Sequence, residues 1–144
     1  MINHLAELKQ GLFIFMSQIK IYALADTIDK YRSQLSKAIH DALVEALQYP
    51  VEKCFQRFIK MQKEDFIYPS DRSDLYVIIE ISMFSGRSVE SKKQLINKIF
   101  KNIESESGIS PQDIEITIFE TPQENWGIRG KTADELKLNY QVNV

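Results

Sequence analysis

One cysteine, one tryptophan and two histidines in 144 residues leave little room for several kinds of chemistry. Cys54 alone cannot form an intramolecular disulfide or a cysteine-rich zinc site, which fits a reducing, cytoplasmic setting. His4 and His40 lie far apart, and neither has a partner at ligand spacing, so neither a metal site nor a cofactor is expected. No polybasic run occurs, and 18 basic residues stand against 20 acidic ones for a net charge of −2. A nucleic-acid surface or an anionic-membrane surface is therefore disfavoured. The one apolar run near the start, Gly11 to Phe15, is too short to span a membrane. Only Lys9 closely precedes it and no small-residue cleavage pattern follows, so it is a poor signal peptide.

What is present is a length suited to one domain and a repeat. Slid by 60 residues, the chain matches itself. Ile19, Ile21 and Leu24 fall on Ile79, Ile81 and Phe84; Gln34, Leu35, Ile39 and Leu43 fall on Gln94, Leu95, Ile99 and Ile103. Cys54, Gln56 and Phe58 fall on Ile114, Ile116 and Ile118. Each unit, about 17–61 and 75–120, reads as an alternating strand, a helix and a second strand.

The first strand is expected at about Gln18 to Leu24, and a helix from Asp29 to about Gln48. Pro50 ends that helix, because proline cannot continue the ladder and biases Tyr49 away from it. Residues 54–61 form the next strand. In the second unit, residues 75–84 are a nearly continuous apolar strand, suited to a central place in a sheet. Ser88 caps a helix over 89–107, Gly108 and Pro111 stop it, and residues 113–120 complete the unit. The fold class is thus α+β: a tandem β-α-β repeat forming a four-stranded sheet with both helices on one face and right-handed crossovers.

Residues 1–16 lie outside the repeat, either as a helical arm with Leu5, Leu8 and Leu12 on one face or as an upstream start before Met16. The domain proper is 17–144. Its last part, 121–144, holds a glycine-containing loop and an alternating terminal strand through Leu136, Leu138, Tyr140, Val142 and Val144. His40 is expected on the helix surface, and Cys54, by its match to Ile114, as a small buried hydrophobe. The loop Glu64 to Arg72 suits either a lid or a plug packed on the sheet.

Two families share such a duplication. An RNA-binding module needs a basic, aromatic motif on its third strand, and "LYVIIEISMF" has none. By contrast, "QIKIYAL", "EISMFSGRSVESKKQL" and "GISPQDIEITIFETPQENWGIRG" occur in the order and spacing of the tautomerase superfamily. The chain from Met16 to Gly130 resembles that family, and in particular its long-chain branch of malonate semialdehyde decarboxylases and haloacrylate dehalogenases.

The resemblance implies a homotrimer, a small-molecule carboxylate as substrate, and a site at the amino end of the first strand. It also implies a catalytic amino-terminal proline, whose place here is taken by Ser17. If Ser17 were the chain terminus, its α-amine, with an unperturbed pKa of about 7.7–8.0, could act as a weak base. The aspartate of decarboxylase members is replaced by Lys53, with Glu52 beside it, and of their two turn arginines only Arg87 is kept. Arg87, between a strand end and a helix start, suits a bidentate carboxylate.

Arg57 on the second strand, with Lys53 and Phe55, suits an anion pocket or an edge that resists aggregation. Trp126 and Arg129, flanked by Gly127 and Gly130, together with Phe58, suit a pocket wall. The expected function is keto–enol tautomerisation of a small carbonyl acid. Two alternatives stay open: a catalytically silent ligand-binding homologue, and a related decarboxylase or hydratase that uses Glu52 to activate water.

Overall fold

The computed structural model describes residues 16–136. The expectations for residues 1–15 and for Leu138, Tyr140, Val142 and Val144 lie outside them. The alternation of apolar and polar residues from Ser17 drives β1 (Ser17–Leu24), and the chain passes directly into α1 (Ala25–Leu47). After a turn come β2 (Gln56–Met61) and a loop, then β3 (Val77–Phe84), α2 (Val89–Ser107) and β4 (Ile114–Thr121). A small hairpin of β5 (Gly127–Ile128) and β6 (Lys131–Thr132) follows.

The sheet order is β2-β1-β3-β4. β1 pairs with β2 and β3 with β4 in parallel, while β1 and β3 run antiparallel at the centre. Strand pleating puts alternate residues on one face. From β1 and β3 these are Ile19, Ile21, Ala23, Val77, Ile79, Ile81 and Met83, and both helices cover them. Helix spacing supplies the matching stripes: Ile28, Leu35, Ile39 and Leu43 from α1, and Leu95, Ile99 and Ile103 from α2. Each such fully buried aliphatic side chain stabilises by roughly 1.5–3 kcal/mol relative to exposure. This is the tandem β-α-β sheet with helices on one face that the repeat predicts. β1 and β3 coincide when shifted by 60 residues.

The topology gathers four chain segments at one sheet end. They are the starts of β1 and β2 and the ends of β3 and β4. Ser88 begins α2 there: its side chain accepts from the Ser91 N–H at 3.1 Å. Gly108, at φ +79°, closes α2 in the left-handed region that glycine favours. We expect Ser88→Ala to destabilise the fold by about 1 kcal/mol, read as a lower denaturation midpoint at constant m-value.

Several expectations need correction. α1 begins at Ala25, one turn before Asp29, because nothing in Ala25–Ile28 breaks a helix and Thr27 Oγ1 donates to the Asp74 carbonyl at 2.8 Å. β2 begins at Gln56 rather than at Cys54, so Cys54 lies before the strand and is exposed. His40 is buried rather than on the surface, because the turn after α1 folds back over it. Leu136 lies in a helical turn that begins at Ala133, not in a strand. The loop between β2 and β3 sits at the opposite sheet end from Ser17. Phe66, Tyr68 and Tyr76 pack there against Leu24, so it is a plug and not a lid over that end.

Candidate functional site

The end of the sheet where β1 starts holds most of the residues that the sequence singles out. Ser17 is the first residue of β1, paired with Met83 on β3, and is 1% exposed. β3 ends at Phe84, and the chain turns through Ser85, Gly86 and Arg87 into α2. Gly86 adopts φ +123°, a conformation that side-chain-bearing residues rarely take, so the corner can be this tight. Around it lies a hollow of about 280 Å³ lined by Phe84, Ser85, Gly86, Arg87, Ser88 and Ser91. The amino end of α2 borders this hollow, and the dipole of a helix favours an anion at that end.

Arg87 is half-buried. Burial lowers its pKa from the usual guanidinium value, and the neighbouring Tyr49 opposes that shift. Its guanidinium lies 5.8 Å from the centre of the Tyr49 ring, and Nη1 donates to the Leu47 carbonyl at 3.4 Å. Tyr49 is 2% exposed, and its phenol lies near Ser17. Burial pushes the phenol's pKa up, against smaller opposing effects from Ser17 and Arg87. It therefore stays a neutral phenol at ordinary pH. Tyr49 thus neighbours both Ser17 and Arg87, and sequence reasoning used it only as a helix stop. The repeat carried a signal for it, because Tyr49 falls on Ile109, which is fully buried.

The other candidates spread around this end. Arg57 is on β2, and its Nη2 donates to Gln18 Oε1 at 2.9 Å. Gln18 and Arg57, with Cys54, Phe55 and Gln56, line a separate hollow of about 320 Å³. Trp126 meets Phe84 edge-on at 4.8 Å and joins a small cluster with Met16 and Ala133. This cluster packs the closing loop against the strand that leads into Arg87. Arg129 is exposed at the tip of the β5–β6 hairpin, at φ +54°, with Gly130 at φ +84°. Two successive positive φ values are what a two-residue hairpin turn between twisted strands needs. Phe58 is not brought here: it pairs with Ile21 and packs in the main core beneath the helices. Glu52 is exposed in the turn after α1, and Lys53 follows it.

Residues 53–129, more than half of the chain, match the family model described as Tautomerase enzyme. The chain belongs to the tautomerase family. Its similarity to a probable tautomerase, YusQ of Bacillus subtilis (strain 168), is 26% identity over 127 residues, covering 85% of this chain and all of that protein. It is also 39% identical over 57 residues to a 2-hydroxymuconate tautomerase of Comamonas testosteroni, covering 40% of this chain and 90% of that one. Among solved structures it is similar to the FG41 malonate semialdehyde decarboxylase inhibited by 3-bromopropiolate. The TM-score is 0.73 at 27% identity, covering 85% of this chain and 96% of that chain. The tautomerase match of 57 residues is close to the 60-residue period of the repeat. Within the described residues no helix is long and apolar enough to cross a membrane.

Proposed function

We propose that this tautomerase-family chain moves a proton beside the carbonyl of a small keto carboxylic acid. The observation that carries the reading is the place of Arg87. It is half-buried in the turn just before α2, with its guanidinium over Tyr49, and it borders the hollow. A guanidinium held this way can take a carboxylate through two parallel hydrogen bonds. Desolvation strengthens that interaction relative to an exposed pair. The Ser17 α-amine serves as the base in a chain that begins at that residue. Trp126 and Arg129 shape and close the pocket, and Arg57 adds positive charge at the same sheet end. Phe58 acts from beneath, through the core.

The sheet face away from the helices carries Gln18, Lys20, Tyr22, Arg57, Glu80 and the exposed Phe119, with no described element over most of it. That face supports assembly as a homotrimer, and the setting we propose is cytoplasmic.

A decarboxylase reading is favoured by one observation, the likeness to the malonate semialdehyde decarboxylase over most of both chains. The two readings separate in one assay series. Chains that begin at Met1 and at Ser17 are given 2-hydroxymuconate and, separately, malonate semialdehyde. We expect the Ser17 form to speed ketonisation above the buffer rate and the Met1 form not to. The rate should rise with pH through about 7–8.5 as the amine loses its proton, since only the neutral amine is a base. Loss of carbon dioxide from malonate semialdehyde with no ketonisation would instead favour the decarboxylase. Rates equal to buffer in both forms, with carboxylate binding retained, would leave a ligand-binding homologue.

A further inference from the structure

His40 is a buried histidine in the described fold, and no step proposed so far uses it. It projects from α1 and is 9% exposed. Its Nε2 lies 2.6 Å from the Val51 carbonyl oxygen. A carbonyl oxygen only accepts, so Nε2 must carry the proton and donate it. Nδ1 is buried with no partner among the described residues. The ring therefore makes one short bond to a backbone oxygen in the turn between α1 and β2.

That turn is held by little else at its tip. Val51 is 72% exposed, so its side chain adds almost no packing there. Gln48 leaves the helix at φ 59°, Tyr49 N–H donates to Leu43 at 3.3 Å, and Lys53 N–H donates to Pro50 at 3.0 Å. These bonds shape the turn locally. The bond from His40 ties its tip to the body of the helix. Two residues before Val51 stands Tyr49, whose ring lies beneath Arg87. The Leu47 carbonyl, at the same end of α1, accepts from Arg87. The pose of the arginine is thus partly set by a segment outside its own corner.

We infer that His40 is a positioning residue: it anchors the turn after α1 and thereby fixes Tyr49, and through Tyr49 the guanidinium of Arg87. For its chemical consequence this rests on the proposed role of Arg87 as the carboxylate anchor. The structural half stands apart from that role. A neutral Nε2–H imidazole suits the task, because it offers a donor at a fixed distance without placing a full charge among buried groups.

The test uses the full-length chain labelled with nitrogen-15. In the wild type, the His40 Nε2 proton should be visible and slow to exchange, and Nδ1 should be bare. The Arg87 side-chain N–H signal should be displaced by the ring of Tyr49. In His40→Leu, which keeps volume but has no donor, the Arg87 and Tyr49 signals should move towards free-residue positions while those of the central strands stay. Pyruvate affinity should then fall about fivefold, the scale of coupling expected within one contact network. His40→Gln, which restores an N–H donor, should recover part of both effects. Unchanged Arg87 and Tyr49 signals in His40→Leu would overturn the inference, as would an Nδ1–H tautomer in the wild type. If His40→Leu does not fold, the wild-type tautomer and the protection of its proton decide. Pyruvate binding to Arg87→Ala separates the two proposals. If it matches wild type while His40→Leu still displaces the Arg87 signals, the positioning role stands and the carboxylate role fails.

Discussion

Arg87→Ala should bind pyruvate about 10- to 100-fold more weakly than the wild type while melting at nearly the same temperature. The magnitude follows from losing hydrogen bonds to a charged group, worth about 1.5–3 kcal/mol. Fold stability should change little, because Arg87 is only half-buried, in a turn outside the hydrophobic clusters of the fold. Arg87→Lys should recover only part of the affinity. An ammonium keeps the charge but not the planar fork that meets both carboxylate oxygens. Arg57→Ala and Arg129→Ala are the informative controls. Arg57 lines a different hollow, and Arg129 sits at a hairpin tip. Each should change pyruvate affinity less than Arg87→Ala does. Isothermal titration of the four variants ranks the three arginines directly, and a result in which Arg57→Ala dominates would move the anion site to the β2 edge.

The second large effect concerns stability. Ile21 is fully buried at the centre of β1, with Phe58 and Ile79 beside it on the neighbouring strands. Ile21→Ala removes buried methylenes where strands on both sides and helices above prevent collapse. We expect a loss of 2–5 kcal/mol, a large share of the roughly 5–15 kcal/mol that holds a domain together. Ile67→Ala makes the same chemical change at a side chain that is 92% exposed. It should shift stability by no more than about 0.5 kcal/mol. Urea denaturation should show a clearly lower midpoint for the first variant and an unchanged one for the second, at similar m-values.

Much of this was legible in the residues. Self-similarity located β1 and β3 together, since both units alternate apolar and polar residues over the same span. α2 was readable to the residue because its ends carry chemistry: a serine that accepts a backbone N–H and a glycine in the left-handed region. α1 lacks such marks at its start, so its first turn went unseen. Cys54 shows the limit of the repeat. Its partner Ile114 opens a strand, but β2 starts two residues later than Cys54, and the thiol is left outside.

The site was half-legible for the same reason. Arg87 was marked by a local motif, a glycine and a serine around an arginine. Tyr49 and His40 act through a turn that returns to its own helix, and periodicity along one helix says nothing about what folds back over it. Phe58 lies on the face that meets the helices, which the sequence did not show, because strand parity fixes which neighbours share a face but not which face is covered.

The antiparallel pairing of β1 with β3 relates the two repeat units by a rough two-fold axis. The counterpart of the Ser85–Ser88 corner is therefore Ala25–Ile28, and it lies at the far end of the sheet. There the same four positions are wound into the helix, and Thr27, the counterpart of Arg87, is buried and bound to the Asp74 carbonyl. The two units differ by one turn of helix at this corner, so the two ends of the sheet are not equivalent. Among the described residues the Arg87 corner therefore has no cationic counterpart at the equivalent place in the other unit.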